Sequence, residues 1–244
     1  MTIRSKKHAK LLRTAQLLME YDAAVRRECG VGHMAGVDEV GRGSMAGPLV
    51  AAAVILPPCR LIVGLDDSKR LSTSAREQVV QQITQHALCW SVAWVSAATI
   101  DQIGITAANM LAMRNAVQNL AIRPQLVLSD GYAIKGYGGT NRAIVRGDRT
   151  SQCIAAASCL AKVLRDHWLA YLGEELYPGY GWERNAGYAT AEHRQAIRSL
   201  GPTAEHRRLF LRKECDNLYG AADTAATTRC GSAVPDQVQL PLVL

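Results

Sequence analysis

The feature that most limits how this chain can fold is the run PLVAAAVILP at residues 48–57, in which every residue is apolar. A strand with water on one face alternates apolar and polar residues, so this run predicts a strand that is covered on both faces. The preceding segment AGVDEV, at 35–40, predicts a neighbouring strand, and the glycine-rich stretch between them predicts a turn. The sequence therefore indicates a sheet with a buried central strand.

Further strands and helices follow this pair along the chain. Short β-branched or alternating runs predict three strands, at 88–96, 126–131 and 142–148. Apolar residues at helical spacing predict helices at 6–29, 72–87, 107–120 and 151–177. In the second of these, Ser74 and Glu77 have the spacing of a capping box. Strands followed by alternating helices and strands predict an α/β fold with a mixed sheet flanked by helices.

The length of 244 residues and the hydrophobic fraction of 48% predict one compact domain with extensions. We expect an N-terminal helical extension over 1–33 and a main domain with a helical C-terminal part over 34–212. We expect a disordered tail over 213–244, because small and polar residues dominate there.

The charge balance favours a polyanionic partner, since 28 Lys and Arg residues against 21 Asp and Glu give a formal net charge of +7. The seven cysteines are scattered and form no C-x-x-C pair, which predicts reduced thiols. The sequence has no secretory signal and no apolar run of the roughly 20 residues that span a bilayer. We therefore expect a cytoplasmic protein that does not bind membranes.

Four carboxylates are predicted at or beside strand ends next to a glycine, where side chains from different strands converge: Asp38, Glu39, Asp130 and Asp148. Two carboxylates about 4 Å apart repel each other by roughly 4 kcal/mol at an effective dielectric constant of about 20, so such a cluster needs protons or cations. Oxygen ligands without nearby His or Cys suit Mg²⁺ or Mn²⁺. Two such ions about 3.5–4 Å apart can activate water and stabilise the leaving oxygen of a phosphodiester. The pattern therefore predicts a divalent-metal site.

Each acid taken alone has a simpler interpretation, since acids beside turns are commonly solvated or cap helices, and Asp148 could cap the helix that follows it. Asp38 and Glu39 also point to opposite faces of a regular strand. Either the strand bends at Val40 and Gly41, or Glu39 uses its backbone carbonyl for one ion and its carboxylate for another. A dinucleotide-binding loop is excluded, because the glycines have the spacing G-x-G-x-x-x-G and a strand follows them.

Seven motifs, in this order, resemble those of bacterial ribonuclease HII: GVDEVGRGSMAGP, DDSKRLS, SDG, GD, AAASCLAKVLRD, GYATAEH and HRRLF. The resemblance covers roughly residues 34–212. Arg42 stands where the related type III enzymes carry lysine, which favours type II. The resemblance implies an RNase H-like fold, with an additional C-terminal helical region, and a divalent-metal-dependent endonuclease that cuts RNA in RNA/DNA hybrids. It also implies cleavage 5′ of a lone ribonucleotide in duplex DNA, leaving 3′-hydroxyl and 5′-phosphate ends.

The resemblance also implies roles for individual residues. The metal ligands and catalytic acids would be Asp38, Glu39, Asp130 and Asp148, and the substrate-binding residues would be Gly41, Arg42, Gly43, Lys69 and Tyr188. The glycines would let the backbone approach a 2′-hydroxyl, and Tyr188 matches the family tyrosine that stacks on the sugar at the RNA-to-DNA junction. The family usually has His-Lys-Gly-Tyr here, whereas this chain has Asn185 and Ala186 before Gly187, which removes two cationic phosphate contacts. We expect a monomer.

Two other functions are compatible with parts of the pattern. A nucleic-acid-binding protein that has lost catalysis would not need all four acids. Another two-metal nuclease of the same fold class would share the acids but lack the glycine loop. Cleavage of a duplex that carries one ribonucleotide separates the three.

The C-terminal end is apolar although the tail before it is polar. Its residues Gln239, Leu240, Leu242 and Leu244 resemble the peptide by which bacterial repair and replication proteins bind the DNA sliding clamp. In an extended peptide these leucines alternate into an apolar groove while the glutamine hydrogen-bonds at one end. The alternative is that they pack on the enzyme's own surface.

Overall fold

The computed structural model describes residues 3–211, so the predicted tail and its residues Gln239, Leu240, Leu242 and Leu244 lie outside the described residues. Five strands form one sheet: β1 (Met34–Val40), β2 (Leu49–Ile55), β3 (Cys89–Val95), β4 (Leu126–Asp130) and β5 (Asn141–Ile144). Their order is β3-β2-β1-β4-β5, with antiparallel pairing among β1, β2 and β3 and parallel pairing among β1, β4 and β5. The predicted α/β fold with a mixed sheet is confirmed.

Helices flank this sheet. They are α1 (Ile3–Cys29), α2 (Thr73–His86), α3 (Ala97–Ile103), α4 (Ile105–Gln118), α5 (Gln152–Tyr171), α6 (Trp182–Asn185) and α7 (Ala191–Leu200). A short 3₁₀ turn, Gly147–Arg149, precedes α5, and a π turn, Leu172–Leu176, extends it. Among the described residues, no helix combines the length and the apolar character needed to cross a membrane.

The strand β2 is buried at every position, as its uniform apolar sequence predicts. Val50 and Ala52 contribute to the core beneath α5 and α2, whereas Leu49 and Ala51 contribute to the core beneath α4. On β1, α5 lies so close that a Cβ at Gly36 would overlap the backbone of the helix. This contact explains the glycine in the middle of β1. Asp38 follows two residues later on the same face of the strand, so it also lies beside α5.

The helix α1 packs on the main domain through two buried polar contacts. Asp22 Oδ2 accepts a 2.9 Å hydrogen bond from the amide of Cys153 in the first turn of α5, where a carboxylate also complements the helix dipole. Arg26 Nη2 donates a 2.9 Å hydrogen bond to the carbonyl of Leu56. The predicted domain limits at 33 and 212 stay predictions.

Two sequence-based expectations about helix starts were wrong. The N-cap of α2 is Ser72, whose hydroxyl accepts from the Ala75 amide, and not Ser74, which lies inside the helix. Asp148 does not end a strand and does not cap α5. It lies in the 3₁₀ turn, and Ser151 is the N-cap. In both cases the cap is the serine directly before the first helical residue, because only an extended residue can turn its side chain onto the free amides.

The C-terminal helical region contains a buried pair of histidines that are neutral. The Thr203 amide donates to His206 Nδ1 at 2.9 Å, so the proton of His206 lies on Nε2, 3.1 Å from Nε2 of His193. His193 Nε2 also accepts from the indole N–H of Trp182 at 2.9 Å, and its Nδ1–H donates to the Tyr188 carbonyl. Burial lowers the pKa of both, that of His206 to about 3.

This pair predicts a loss of stability in mild acid. The unfolded chain takes up protons below about pH 6.5 while the His206 ring of the folded form stays neutral, so the free energy of unfolding falls by up to about 1.4 kcal/mol per pH unit for this ring, and the lowered pKa of His193 adds to the fall. The contribution is complete above that pH and is lost as the pH falls towards the folded pKa values. Urea unfolding of wild type and His206→Asn between about pH 7.5 and 5.5 should give a shallower slope for the variant. Parallel slopes would show that the rings are not protected from protonation.

Candidate active site

Two of the predicted acids lie side by side at the end of the two central parallel strands. The parallel register pairs Val37 of β1 with Ser129 of β4, and the next residues are Asp38 and Asp130. Asp130 is fixed where it lies, because its Oδ1 accepts a 2.6 Å hydrogen bond from the amide of Gly147. The fold therefore brings together acids that are distant in sequence.

Asp38 and Glu39 lean to opposite faces of the sheet. The pairing of β1 with β2 is unbroken as far as Val40 and Val50, so no bend occurs within the strand. Asp38 interacts with the Ser158 hydroxyl of α5, on one face, and Glu39 with the side-chain amide of Asn109 in α4, on the other.

The carboxylates form one electrostatic group. Burial raises the pKa of Asp38 well above its ordinary value, and the charges of Glu39 and Asp130 raise it further. Burial also raises the pKa of Glu39, where Asp130 adds to the rise and Arg42 opposes it. For Asp148, burial and then Asp130 raise the pKa. The charge of Asp130 therefore raises the pKa of all three groups. This includes Asp148, which lies after the end of β5.

These acids are an open group and not a preformed cage. Within residues 3–211, no set of three or more His, Cys, Asp or Glu side chains is already close enough to enclose a metal ion. The four acids nevertheless offer only oxygen donors and share an excess of negative charge that burial makes costly, so their chemistry fits a divalent cation.

The glycine-rich segment 41–47, called the glycine loop below, follows β1 directly. Gly41 has a φ of 85°, which favours glycine, and a Cβ there would overlap the buried guanidinium of Arg165. Gly43 differs: its φ lies outside the left-handed region, and an added Cβ would meet nothing within 4 Å. No acceptor among the described residues bonds the amides of Arg42 and Gly43. The glycine at 43 is therefore not required by the protein's own packing.

Arg42 lies between the acids and an exposed ring. Its guanidinium is 3.9 Å from the carboxylate of Glu39 and lies over the ring of Tyr132, 5.6 Å from the centroid. Tyr132 is 61% exposed, and its turn is held by a 2.6 Å hydrogen bond from Ser129 Oγ to its carbonyl. Arg42 is partly exposed, so it can contact a polyanion.

The sheet, the row of acids and the glycine loop agree with a single family. Residues 35–214 match the family model of Ribonuclease HII. This chain belongs to the ribonuclease HII family. It is 47% identical over 196 residues to the Ribonuclease HII of Moorella thermoacetica, a match that covers 80% of this chain and 94% of that protein. The resemblance carried by the seven motifs is thereby confirmed.

Solved structures share the fold. The ribonuclease H2 of Pyrococcus horikoshii has a TM-score of 0.65 and 25% identity, covering 76% of this chain and 98% of that one. The RNase HII of Archaeoglobus fulgidus, solved as a complex with PCNA, has a TM-score of 0.63 and 25% identity over 76% and 96% of the chains. Bst-RNase HIII in complex with Mn²⁺ has a TM-score of 0.58 and 18% identity over 78% and 70%.

Membership of the ribonuclease HII family makes this chain an endonuclease of the ribonuclease H type II class, which acts on RNA/DNA hybrids. Dependence on divalent metal ions is typical of this family. The alternatives of a non-catalytic binding protein and of a different two-metal nuclease are therefore set aside.

The loop that carries Tyr188 is hydrogen-bonded to the glycine loop. The carbonyl of Gly187 accepts hydrogen bonds from the amides of Met45 and Ala46, at 2.8 and 3.2 Å. The half-buried ring of Tyr188 lies 5.6 Å from Lys162 Nζ and 5.6 Å from the Arg165 guanidinium. The predicted substrate residues Gly41, Arg42, Gly43 and Tyr188 therefore lie on two loops that are bonded to each other.

The departure from the family motif at Asn185 has a structural explanation. Asn185 is 7% exposed; its Oδ1 accepts from the Gly187 amide at 2.9 Å, and its Nδ2 donates to the Tyr180 carbonyl at 2.8 Å. The side chain shapes the loop and is turned away from solvent. The cation nearest to this loop's surface, Lys162, lies over the Tyr188 ring and pairs with Asp166 at 2.8 Å.

Lys69 lies apart from the glycine loop, on the side of Asp148. Its amide donates to Asp67 Oδ1 at 2.9 Å, its side chain is exposed, and its charge acts to lower the pKa of Asp148. Arg149 pairs with the same aspartate, Asp67, at 2.5 Å. Lys69 therefore stands as an exposed cation at this end of the site, whereas the charge of Arg149 is balanced by Asp67.

Five residues of the site were missed by the sequence analysis. They are Asn109, Tyr132, Ser158, Arg165 and Arg207. Ser158 and Arg165 lie within the motif AAASCLAKVLRD and Arg207 within HRRLF, so the motifs contained a signal for these three, although no role was assigned to them. Asn109 and Tyr132 carry no local pattern, because their partners lie on different elements.

Proposed function

We propose that this protein cleaves the phosphodiester on the 5′ side of a ribonucleotide, including a single ribonucleotide embedded in duplex DNA. Two divalent ions, Mg²⁺ or Mn²⁺, would be held by Asp38, Glu39, Asp130 and Asp148. The observation that carries the proposal is the placement of these acids directly beside a loop whose first three amides, at residues 41–43, have no acceptor among the described residues. The enzyme would thereby remove ribonucleotides during DNA replication and repair.

The chain's part in the chemistry is to hold the carboxylates in place. Asp38 Oδ1 accepts a 2.8 Å hydrogen bond from the Glu39 amide, and Asp130 Oδ1 accepts one from the Gly147 amide at 2.6 Å. Ser158 and Asn109 act to lower the pKa of Asp38 and Glu39, which favours their charged forms. When bound, the ions activate the attacking water and stabilise the leaving 3′-oxygen, which gives 3′-hydroxyl and 5′-phosphate products. Carboxylates that are fixed by backbone amides need little rearrangement to act on one phosphate.

Recognition of the ribose falls to the glycine loop. A 2′-hydroxyl both donates and accepts hydrogen bonds, so the free amides of Arg42 and Gly43 suit its oxygen. A backbone without a side chain at position 43 leaves room for the sugar. Arg42 and Lys69 supply phosphate contacts that are independent of base sequence.

We expect Tyr188→Ala to impair cleavage at a single ribonucleotide, because the ring would no longer stack on the sugar at the RNA-to-DNA junction. The loss in kcat/KM should correspond to about 1–3 kcal/mol, and Tyr188→Phe should keep most of the activity. A matched control is Tyr171→Ala, since Tyr171 is 50% exposed and stacks on Trp168 in α5. An equal loss on a hybrid without such a junction would point to a collapsed loop.

The proposed reaction is tested by mapping the products. A labelled duplex with one ribonucleotide is incubated with the enzyme and Mg²⁺ or Mn²⁺, and the fragments are compared with markers that carry defined ends. The proposal predicts one cut on the 5′ side with a 3′-hydroxyl, and no cut without divalent ions. Cleavage only within long RNA runs, or ends that carry a 3′-phosphate, would contradict it.

We also propose that the tail binds the DNA sliding clamp through Gln239, Leu240, Leu242 and Leu244. The RNase HII of Archaeoglobus fulgidus was solved with PCNA, which supports such a contact for a related enzyme. A tethered peptide would raise the concentration of the enzyme on DNA without altering its active site.

Clamp binding is measured with the clamp protein of the same organism and three proteins: the full chain, the chain truncated after Asp236, and Leu240→Ala with Leu242→Ala. Only the full chain should bind, and all three should cleave short duplexes equally. Equal binding by full and truncated chains would contradict the proposal, as would loss of nuclease activity on truncation.

A further inference from the structure

Two fully buried arginines lie beneath the glycine loop. Arg165 comes from α5 and Arg207 from the segment after α7, and both are 0% exposed. Neither forms an ion pair with any residue in the described range. A buried charge without a carboxylate partner is costly, so its hydrogen bonds must account for its position.

Those hydrogen bonds go to the carbonyls of the loop. Arg207 donates to the carbonyls of Gly41 at 2.6 Å, Gly47 at 3.0 Å and Arg42 at 3.3 Å. In a planar guanidinium the donors diverge in a fixed fork, so one side chain can bind both ends of a loop. Arg207 therefore ties the first residues of the glycine loop to its last.

Arg165 joins the glycine loop to the loop that carries Tyr188. It donates to the carbonyls of Pro48 at 2.8 Å and Ala46 at 3.0 Å, to Ser44 Oγ at 2.6 Å, and to the carbonyl of Ala186 at 2.9 Å. The Ser44 hydroxyl in turn donates to the carbonyl of Gly41 at 2.9 Å.

These bonds determine which backbone groups of the loop remain free. The carbonyls at 41, 42, 46 and 47 are drawn inward to the two guanidinium groups, and the amides of residues 45–47 bond to the carbonyls of Gly187 and Glu205. The amides of Gly41, Arg42 and Gly43 are left without an acceptor among the described residues, and those of Arg42 and Gly43 lie in the turn that follows Gly41. Burial lowers the pKa of both guanidiniums, that of Arg207 to about 9, which is still above neutral pH.

We propose that Arg165 and Arg207 are positioning residues for the substrate: by binding the inward carbonyls, they hold the free amides of Arg42 and Gly43 towards the ribose and its phosphate. The inference rests on the proposed contact between the glycine loop and the ribonucleotide. The inference predicts that replacing either arginine weakens substrate binding by more than the accompanying loss of folded protein would explain.

The test compares Arg207→Gln with Arg26→Gln as a matched control. Arg26 is also buried, at 8% exposure, and also donates to a backbone carbonyl, but it lies in α1 and contacts neither loop. Thermal unfolding gives the stability of each protein. Initial rates on a duplex with one ribonucleotide give KM and kcat at a temperature well below each midpoint.

We expect Arg207→Gln to raise KM by about tenfold or more with kcat changed less than about threefold, and Arg207→Lys to lie between it and wild type. Arg26→Gln should lower the melting temperature and leave KM within about twofold. A purely structural role would remove active molecules, which lowers apparent kcat in proportion to the unfolded fraction and leaves KM unchanged. That outcome, or a KM of wild-type size in a folded Arg207→Gln, would overturn the inference.

Two further comparisons apply if Arg207→Gln does not fold or if wild type does not cut the chosen substrate. If Arg207→Gln does not fold, Arg207→Lys and Arg165→Lys provide the same comparison, and unchanged KM in both would overturn the inference. If wild type itself does not cut the single-ribonucleotide duplex, the proposed function has failed. The variants are then compared on a long RNA/DNA hybrid, where the same KM shift would still support the positioning role and its absence would contradict it.

Discussion

Replacing Asp130 by Asn is expected to reduce cleavage by about a thousandfold or more while the protein stays folded. The amide side chain keeps an oxygen that can accept from the Gly147 amide, so the local structure is preserved. It removes the charge that raises the pKa of Asp38, Glu39 and Asp148, and relief of this repulsion should leave the melting temperature equal or higher. Asp38→Asn should behave in the same way.

The control for Asp130→Asn is Asp22→Asn. Like Asp130, Asp22 is an aspartate that accepts a hydrogen bond from a backbone amide, and it is 0% exposed. It belongs to α1, and its carboxylate contacts the first turn of α5, so it is not one of the four proposed metal ligands. We expect this variant to keep cleavage within about twofold and to change stability instead. Single-turnover rates and thermal unfolding of both variants provide the comparison. Turnover by Asp130→Asn near the wild-type rate would remove this acid from the proposed active site.

Gly43→Ala is expected to lower cleavage at a single ribonucleotide by about 10- to 100-fold without loss of stability. The protein alone tolerates the methyl group, because the backbone at Gly43 has no positive φ and an added Cβ meets nothing within 4 Å. Any loss of activity must then come from the substrate. A methyl group would hold the sugar away from the free amides of Arg42 and residue 43.

Gly138→Ala is the matched control for Gly43→Ala. Gly138 is likewise an exposed loop glycine without a positive φ, and an added Cβ there meets nothing within 4 Å. Both variants should have the melting temperature of wild type, and only Gly43→Ala should lose cleavage. Full activity of Gly43→Ala would mean that the backbone does not approach the sugar at this position.

The parts of the fold that could be predicted are those encoded by local patterns. The strand β2 is apolar throughout because both faces are covered. Asp130 follows an apolar run because β4 ends there, and Asp38 follows one at the point where the pairing of β1 with β4 stops. Periodicity also predicts the long helix α5. Helices α3 and α6, of 7 and 4 residues, are too short to show a helical period and were not predicted.

The parts that could not be predicted depend on contacts between distant segments. Arg207 and Gly41 are 166 positions apart, and Arg165 and Ser44 are 121 apart, so no spacing rule connects them. The face to which each acid leans likewise depends on Ser158 and on the helix opposite it, and the sequence left two alternatives open there. Such contacts become visible only when the fold is assembled.

The role of the acids is tested most directly by placing sulfur at the phosphate that the enzyme is proposed to cut. A duplex with one ribonucleotide carries a phosphorothioate on its 5′ side, with the two diastereomers separated, and the control duplex carries it one phosphate further 3′. Sulfur binds Mg²⁺ weakly and Mn²⁺ better. We predict that one diastereomer is cut about tenfold or more slowly in Mg²⁺, that Mn²⁺ restores the rate, and that the control duplex is unaffected. Equal rates with both ions at both positions would contradict a metal-holding role for Asp38, Glu39, Asp130 and Asp148.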